Sequence, residues 1–290
     1  IIPPKYDYFI TVDKDTIKIQ NVNNLSINYS KMESKFEFVT DISISNDALF
    51  LSLSYKTGIV EIYLLNHQET NQVPMSITLV STFRNLSKCK KSEILSSDYL
   101  CASIYRKSVI VWNIATQIRH RELFYKEKPR FLLYDDFEGI LTVALQKTIY
   151  QYSINCEELR SYDFLNDITS IGLFPGKCSF DRRILIVGES DGNVSFFIVN
   201  DRFGFSKIGE KKLFKSPVTS IFVDSKQSSA WVSSNKTSFM IYIPINSEKN
   251  YKIHCKYCCS EKKIFCQRCN SPVCEKCSHG NYCNQCAEVI

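Results

Sequence analysis

No stretch of this chain approaches the roughly eighteen consecutive apolar residues that a membrane-spanning helix needs, and no charged, apolar and small-residue leader pattern opens it. Histidine is scarce, with four in 290 residues. There is no His-Glu-x-x-His pair and no glycine-rich loop of the kind that cradles phosphate, which removes the commonest signatures of zinc hydrolases and nucleotide-binding enzymes. Long runs of like charge are also missing. The 36 basic and 30 acidic residues give a net charge of +6, and they are scattered, which is too mild a balance to argue for nucleic acid. The chain begins at Ile1 without an initiator methionine, which reads as the C-terminal portion of a longer protein.

Cysteine, by contrast, is plentiful and unevenly placed. Of 13 cysteines, Cys89, Cys101, Cys156 and Cys178 are dispersed singly, and the other nine lie between Cys255 and Cys286. A secreted disulfide framework spreads its pairs differently, so the pattern reads as a protein of the reducing cytosol, the dispersed four being small core residues. Eight of the nine form four consecutive Cys-x-x-Cys pairs: Cys255/Cys258, Cys266/Cys269, Cys274/Cys277 and Cys283/Cys286. Each such turn points two thiolates at one spot, and two turns complete the tetrahedral shell of a structural Zn²⁺, so the array predicts two zinc ions. The intervals between the pairs are too short to build an apolar core. Metal must then supply the folding free energy, about 10–16 kcal/mol per site in peptide systems. His254 and His279 flank ligand positions and Cys259 adjoins Cys258, but eight cysteines already fill both shells.

Residues 1–247 read differently, as short alternating strands broken by turns, and they repeat. The unit is an apolar strand, a polar break, a second strand, a turn, and a third strand rich in aromatic or branched residues. Copies run over Val39 to Leu65, Ser92 to Ile114, Phe131 to Ile154, Ile168 to Val199 and Val218 to Ile245, and Tyr8 to Val22 looks like the middle strands of an earlier one. Starts 37 to 53 residues apart bracket the period of about 40–45 residues of a four-stranded propeller blade. The predicted fold is therefore all-β, a WD-repeat-like β-propeller over 1–247 followed by a small two-zinc finger over 248–290. Closure of a ring takes six or seven blades, the first of them truncated here.

Several motifs carry a family resemblance. Trp112-Asn113 and the Asp191-Gly192 hairpin resemble degenerate WD-repeat signatures, and Leu95 to Val199, with IYQYSINCE at Ile149 to Glu157, resembles the WD-repeat region of BEACH-domain proteins. One subset of that family ends in a FYVE zinc finger directly after its last blade. The four residues between Cys269 and Cys274 match the FYVE pattern, whereas RING fingers usually leave two or three. The resemblance implies interleaved ligation. Cys255, Cys258, Cys274 and Cys277 hold one zinc, and Cys266, Cys269, Cys283 and Cys286 the other.

FYVE domains read phosphatidylinositol 3-phosphate through a basic segment whose positions here are Lys262, Lys263, Ile264, Phe265, Cys266 and Gln267. Two charges survive as lysines, so Lys262 and Lys263 are the candidate headgroup residues. Lysine does not reproduce the planar bidentate grip of arginine on phosphate. The plainer reading leaves both lysines solvated, with Ile264 and Phe265 in the small core. Residues 247–290 hold seven basic and four acidic groups, and the negative charge of the two four-thiolate shells brings the metallated module close to neutral.

Gly188-Glu-Ser-Asp-Gly192 matches the Gly-x-Ser-x-Gly nucleophile elbow, but that motif needs a strand–turn–helix and Ser190 is followed by the strand VSFFIV. Full zinc shells leave no open position for an activated water. The expectation is a non-catalytic scaffold of membrane traffic or autophagy, cytosolic and peripheral on endosomal or autophagic membranes. Its propeller would bind protein partners and its finger a membrane or protein. The alternative is a RING-like ubiquitin ligase with a substrate-binding propeller.

Overall fold

The computed structural model describes residues 8–13, 16–21, 27–31, 38–45, 47–67, 74, 76–95, 99–136, 138–174, 183–201, 204–224 and 229–242, with 264–265, 272–273, 276, 278–279 and 282–283. As expected, the architecture is all-β. Six antiparallel sheets follow one another along the chain, each with its strands in sequence order. The first has three strands, β1 (Tyr8–Asp13), β2 (Thr16–Asn21) and β3 (Ile27–Lys31). The second joins β4 (Val39–Ile44), β5 (Phe50–Tyr55), β6 (Ile59–Asn66) and β7 (Ser76–Arg84). The third joins β8 (Lys91–Leu95), β9 (Leu100–Ile104), β10 (Ser108–Asn113) and β11 (Arg119–Phe124), and the fourth β12 (Phe131–Asp135), β13 (Ile140–Ala144), β14 (Thr148–Ser153) and β15 (Glu158–Asp163). The fifth consists of β16 (Ile168–Phe174), β17 (Ile184–Glu189), β18 (Asn193–Asp201) and β19 (Gly204–Lys212), and the sixth of β20 (Val218–Asp224), β21 (Ser229–Ser234) and β22 (Ser238–Tyr242). The chain divides into two compact units, residues 1–136 with 141–158 and residues 137–140 with 159–290.

The five full repeats open within a residue of their predicted starts. What the three-strand reading missed is the fourth strand of sheets two to five. β11 (RHRELF) and β15 (ELRSYD) are largely solvent-exposed sheet edges, so selection for burial left no apolar alternation in them to read.

The repeats share more than strand count. Sheets two, five and six begin Val39-Thr-Asp-Ile, Ile168-Thr-Ser-Ile and Val218-Thr-Ser-Ile, and each carries a bulge one residue after its start. At each bulge the threonine hydroxyl donates to a carbonyl of the second strand: Thr40 to Ser54 at 3.1 Å, Thr169 to Gly188 at 3.1 Å and Thr219 to Ser233 at 3.2 Å. A bulge leaves ladder groups unpaired, and a side-chain donor at that position satisfies one of them.

The hairpins between second and third strands close on Gly58 (φ +89°) in sheet two and Gly192 (φ +91°) in sheet five. Backbone also passes close by. A β-carbon would lie 2.2 Å from the Asn85 carbonyl oxygen in one and 2.2 Å from that of Phe214 in the other, so both the dihedral and the approach demand glycine.

Cores form between sheet faces. In the first unit Tyr8, Ile10, Ile17 and Ile19 bury against Leu51, Leu53, Tyr55 and Tyr63. Val60, Ile62 and Phe83 pack with Ile110 and Trp112 of the third sheet, and Ala102, Val109 and Val111 pack with Leu132, Leu141 and Val143. Each such aliphatic side chain contributes about 1.5–3 kcal/mol of burial. The WD-like Trp112 is held by stacking on Phe83 (5.1 Å between ring centres, 7° between planes) while the Arg119 guanidinium covers it at 5.5 Å. In the second unit Ile184, Ile186 and Val194 pack with Val218, Ala230 and Val232. Among the described residues no helix is long and apolar enough to cross a membrane.

Candidate functional site

The cysteine-rich segment is described at two short hairpins. β23 (Ile264–Phe265) pairs with β24 (Pro272–Val273), and β25 (Ser278–His279) pairs with β26 (Tyr282–Cys283). Residues 266–271, which join the first hairpin, carry Cys266 and Cys269, and Cys274 directly follows Val273. Backbone pairing sets Cys283 opposite Ser278, the neighbour of Cys277. In the sequence, Cys-x-x-Cys pairs lie between β23 and β24 and between β24 and β25, and a donor set of thiolates is that of structural zinc. Cys255, Cys258, Cys266, Cys269, Cys274, Cys277 and Cys286 lie outside the described residues, as do Lys262 and Lys263. Among the described residues no three metal-ligating side chains converge.

Three of the dispersed cysteines, Cys89, Cys101 and Cys156, are free thiols. Cys89 and Cys101 are buried and Cys156 is partly so. Burial pushes the Cys89 thiol up to about 12 and that of Cys156 to about 11, and it raises Cys101 too, which keeps all three in the unreactive protonated form. Cys178 lies outside the described residues.

Ser190 sits in the turn between β17 and β18. Its N–H donates to the Asp167 carbonyl at 2.8 Å, while the Gly192 N–H donates to the Glu189 carbonyl at 3.0 Å. This is a strand–turn–strand, the geometry read from the sequence, and it lacks the helix a nucleophile elbow requires.

One polar cluster was not anticipated. Asp41 on β4 and Glu93 on β8 occupy the strands that open sheets two and three. Asp41 accepts from the Ser92 N–H at 3.2 Å, and Glu93 from the Ser43 hydroxyl at 3.5 Å. Beside them the buried hydroxyls of Ser52 and Ser54 meet Ser92 at 2.9 and 2.7 Å. Burial raises the Asp41 carboxyl to about 6, against the opposing Lys91 charge and the N–H groups of Ser92 and Ile42. Burial likewise raises Glu93 to about 7, with Lys91 opposing and the carboxylates of Asp41 and Asp136 adding to the rise. The pair therefore exchanges protons near neutrality. A signal existed in the repeats, since an acid stands at Asp41 where sheets five and six carry Ser170 and Ser220.

Glu61 is also buried, and its Oε2 accepts from the hydroxyls of both Tyr55 and Tyr63 at 2.7 Å. Two phenol donors satisfy one buried carboxylate oxygen, which is a structural role. No protein-family model matches the chain, and no curated protein matches it either.

Proposed function

We propose that this chain is a non-catalytic scaffold region of a BEACH-type protein of membrane traffic or autophagy, in which WD-repeat-like blades present protein-binding loops and a FYVE-like module docks beside them. The observation that carries the reading is the order of parts. A unit of three or four antiparallel strands recurs, with an opening threonine and bulge in sheets two, five and six and a glycine hairpin in sheets two and five, and an eight-cysteine array follows the last copy. Sheets of this kind form a rigid frame whose connecting loops vary without cost to the core, which suits partner binding more than chemistry.

In this reading Cys255, Cys258, Cys274 and Cys277 hold one Zn²⁺, and Cys266, Cys269, Cys283 and Cys286 the other. Zinc supplies folding free energy to a segment too short for a core of its own. The four-residue gap between Cys269 and Cys274 favours the FYVE type over the RING type. Of the lipid-reading positions Lys262 and Lys263 alone keep charge, so protein docking is the module's main role. Proximity labelling with the whole chain in cells is the test. Enrichment of membrane-traffic or autophagy components is expected, and a labelled set without them contradicts the assignment.

A further inference from the structure

Antiparallel connectivity sorts the loops of the first unit into two sets. The turns between second and third strands (56–58, 105–107, 145–147) and the connections from a fourth strand to the next sheet (85–90, 125–130) all lie at one end of the strands. Hydrogen bonds knit this set together. The Asn85 N–H donates to the Gly58 carbonyl at 3.1 Å, the Tyr125 N–H to that of Lys107 at 2.9 Å, and the Tyr105 hydroxyl reaches the Gly58 carbonyl at 3.5 Å.

Charge divides with the loops. At this end Lys56, Lys88, Lys90, Arg106, Lys126 and Lys128 are all exposed, and Glu127 is the single carboxylate in these turns and connections. Among the described residues none of those six cations takes part in an ion pair. The turns at the opposite end carry Asp47, Asp136 and Glu157 instead. The cations come from sequence positions up to 72 residues apart (56 to 128), and the topology gathers them. Apolar side chains protrude among them. Leu86 is fully exposed at 106%, Phe124 at the end of β11 is 77% exposed, and Phe38 is exposed beneath the Lys56 ammonium at 5.9 Å.

We propose that this end of the first unit binds the surface of an anionic lipid bilayer, its lysines drawn to the headgroups while Leu86, Phe124 and Phe38 enter the interface. Lysine outnumbers arginine here, as suits a diffuse surface charge rather than bidentate capture of one phosphate. Leu86, the most exposed of the three apolar side chains, cannot stack on a nucleobase, whereas an acyl-chain boundary takes it together with Phe38 and Phe124. Lysine stems and apolar tips together suit the boundary between headgroup and acyl chain. The inference rests on the connectivity of sheets two to four and is independent of the family assignment and of the zinc module.

The test is co-sedimentation of the whole chain with vesicles of phosphatidylcholine, alone or with about one-third phosphatidylserine. Neither vesicle contains phosphoinositide, so FYVE-type headgroup reading plays no part. Binding to the anionic vesicles alone is expected, weakened about tenfold or more by high salt. Combining Lys88→Glu, Lys90→Glu, Lys126→Glu and Lys128→Glu removes binding by more than about a hundredfold, at about fivefold per charge. Leu86→Ser with Phe124→Ser, keeping every charge, weakens it about tenfold. The replaced side chains are exposed, so the melting temperature should hold, and the second variant carries the test alone if the first misfolds. Equal sedimentation with neutral vesicles overturns the proposal, as does undiminished binding by a folded variant. Binding to duplex DNA or polyglutamate in the absence of vesicle binding overturns it too.

Discussion

In the third sheet every residue of β9 from Leu100 to Ile104 and of β10 from Ser108 to Trp112 is buried, while the described strands of the cysteine-rich segment are two residues each. The contrast shows two solutions to one problem. A strand buried on both faces gains its free energy from apolar area and needs neighbours on either side. In the proposed reading, a cysteine-rich segment of about forty residues is instead tied by metal ligands whose free energy is local. The sheets should therefore be sensitive to packing and indifferent to chelators, and the cysteine module the reverse.

The largest effect within the sheets is expected at Trp112, which is stacked on Phe83 and covered by Arg119. Trp112→Ala should cost about 3–5 kcal/mol in urea unfolding with the zinc content unchanged. A parallel loss of metal would show that the two regions are not independent.

The next effect is a pH dependence confined to the sheets. Asp41 and Glu93 have folded values near 6 and 7, above their ordinary 3.8 and 4.5. An acid raised on folding contributes stability that is complete below its unfolded value and lost as pH rises through the folded one. The sheets should therefore lose stability between about pH 4.5 and 7, on the order of 3 kcal/mol for Glu93. Thermal melting measures it, and Glu93→Gln should flatten the profile. The cysteine module should behave oppositely, since acid protonates thiolates and releases zinc.

A smaller effect tests the repeat itself. Thr40→Val, Thr169→Val and Thr219→Val each remove the same hydroxyl-to-carbonyl bond at a bulge, at about 1 kcal/mol apiece. Thr40 should lose most, because its hydroxyl also lies 3.0 Å from the Cys89 carbonyl. Equal and negligible losses would make the shared motif incidental.

Legibility followed burial. The inner strands could be read because two-sided burial writes apolar runs such as VIVW at Val109 to Trp112 and ILIV at Ile184 to Val187. Of the fourth strands, β11 and β15 could not, because they are edges whose residues largely face water. Asp41 and Glu93 were invisible as a pair, since 52 positions separate them and only the packing of sheet two on sheet three brings their charges within reach. The basic end was hidden for the same reason: charge that looks scattered along the chain is sorted by alternating strand direction. The eight cysteines are the opposite case: the expectation of zinc rests on local spacing alone, and all but Cys283 lie outside the described residues.

Zinc stoichiometry of the whole chain tests the division most directly. Native mass spectrometry or elemental analysis of the purified protein should find two zinc ions. Chelation should remove both and leave the melting of the sheets unchanged. A protein that holds no zinc, or whose sheets unfold when the metal leaves, would contradict it.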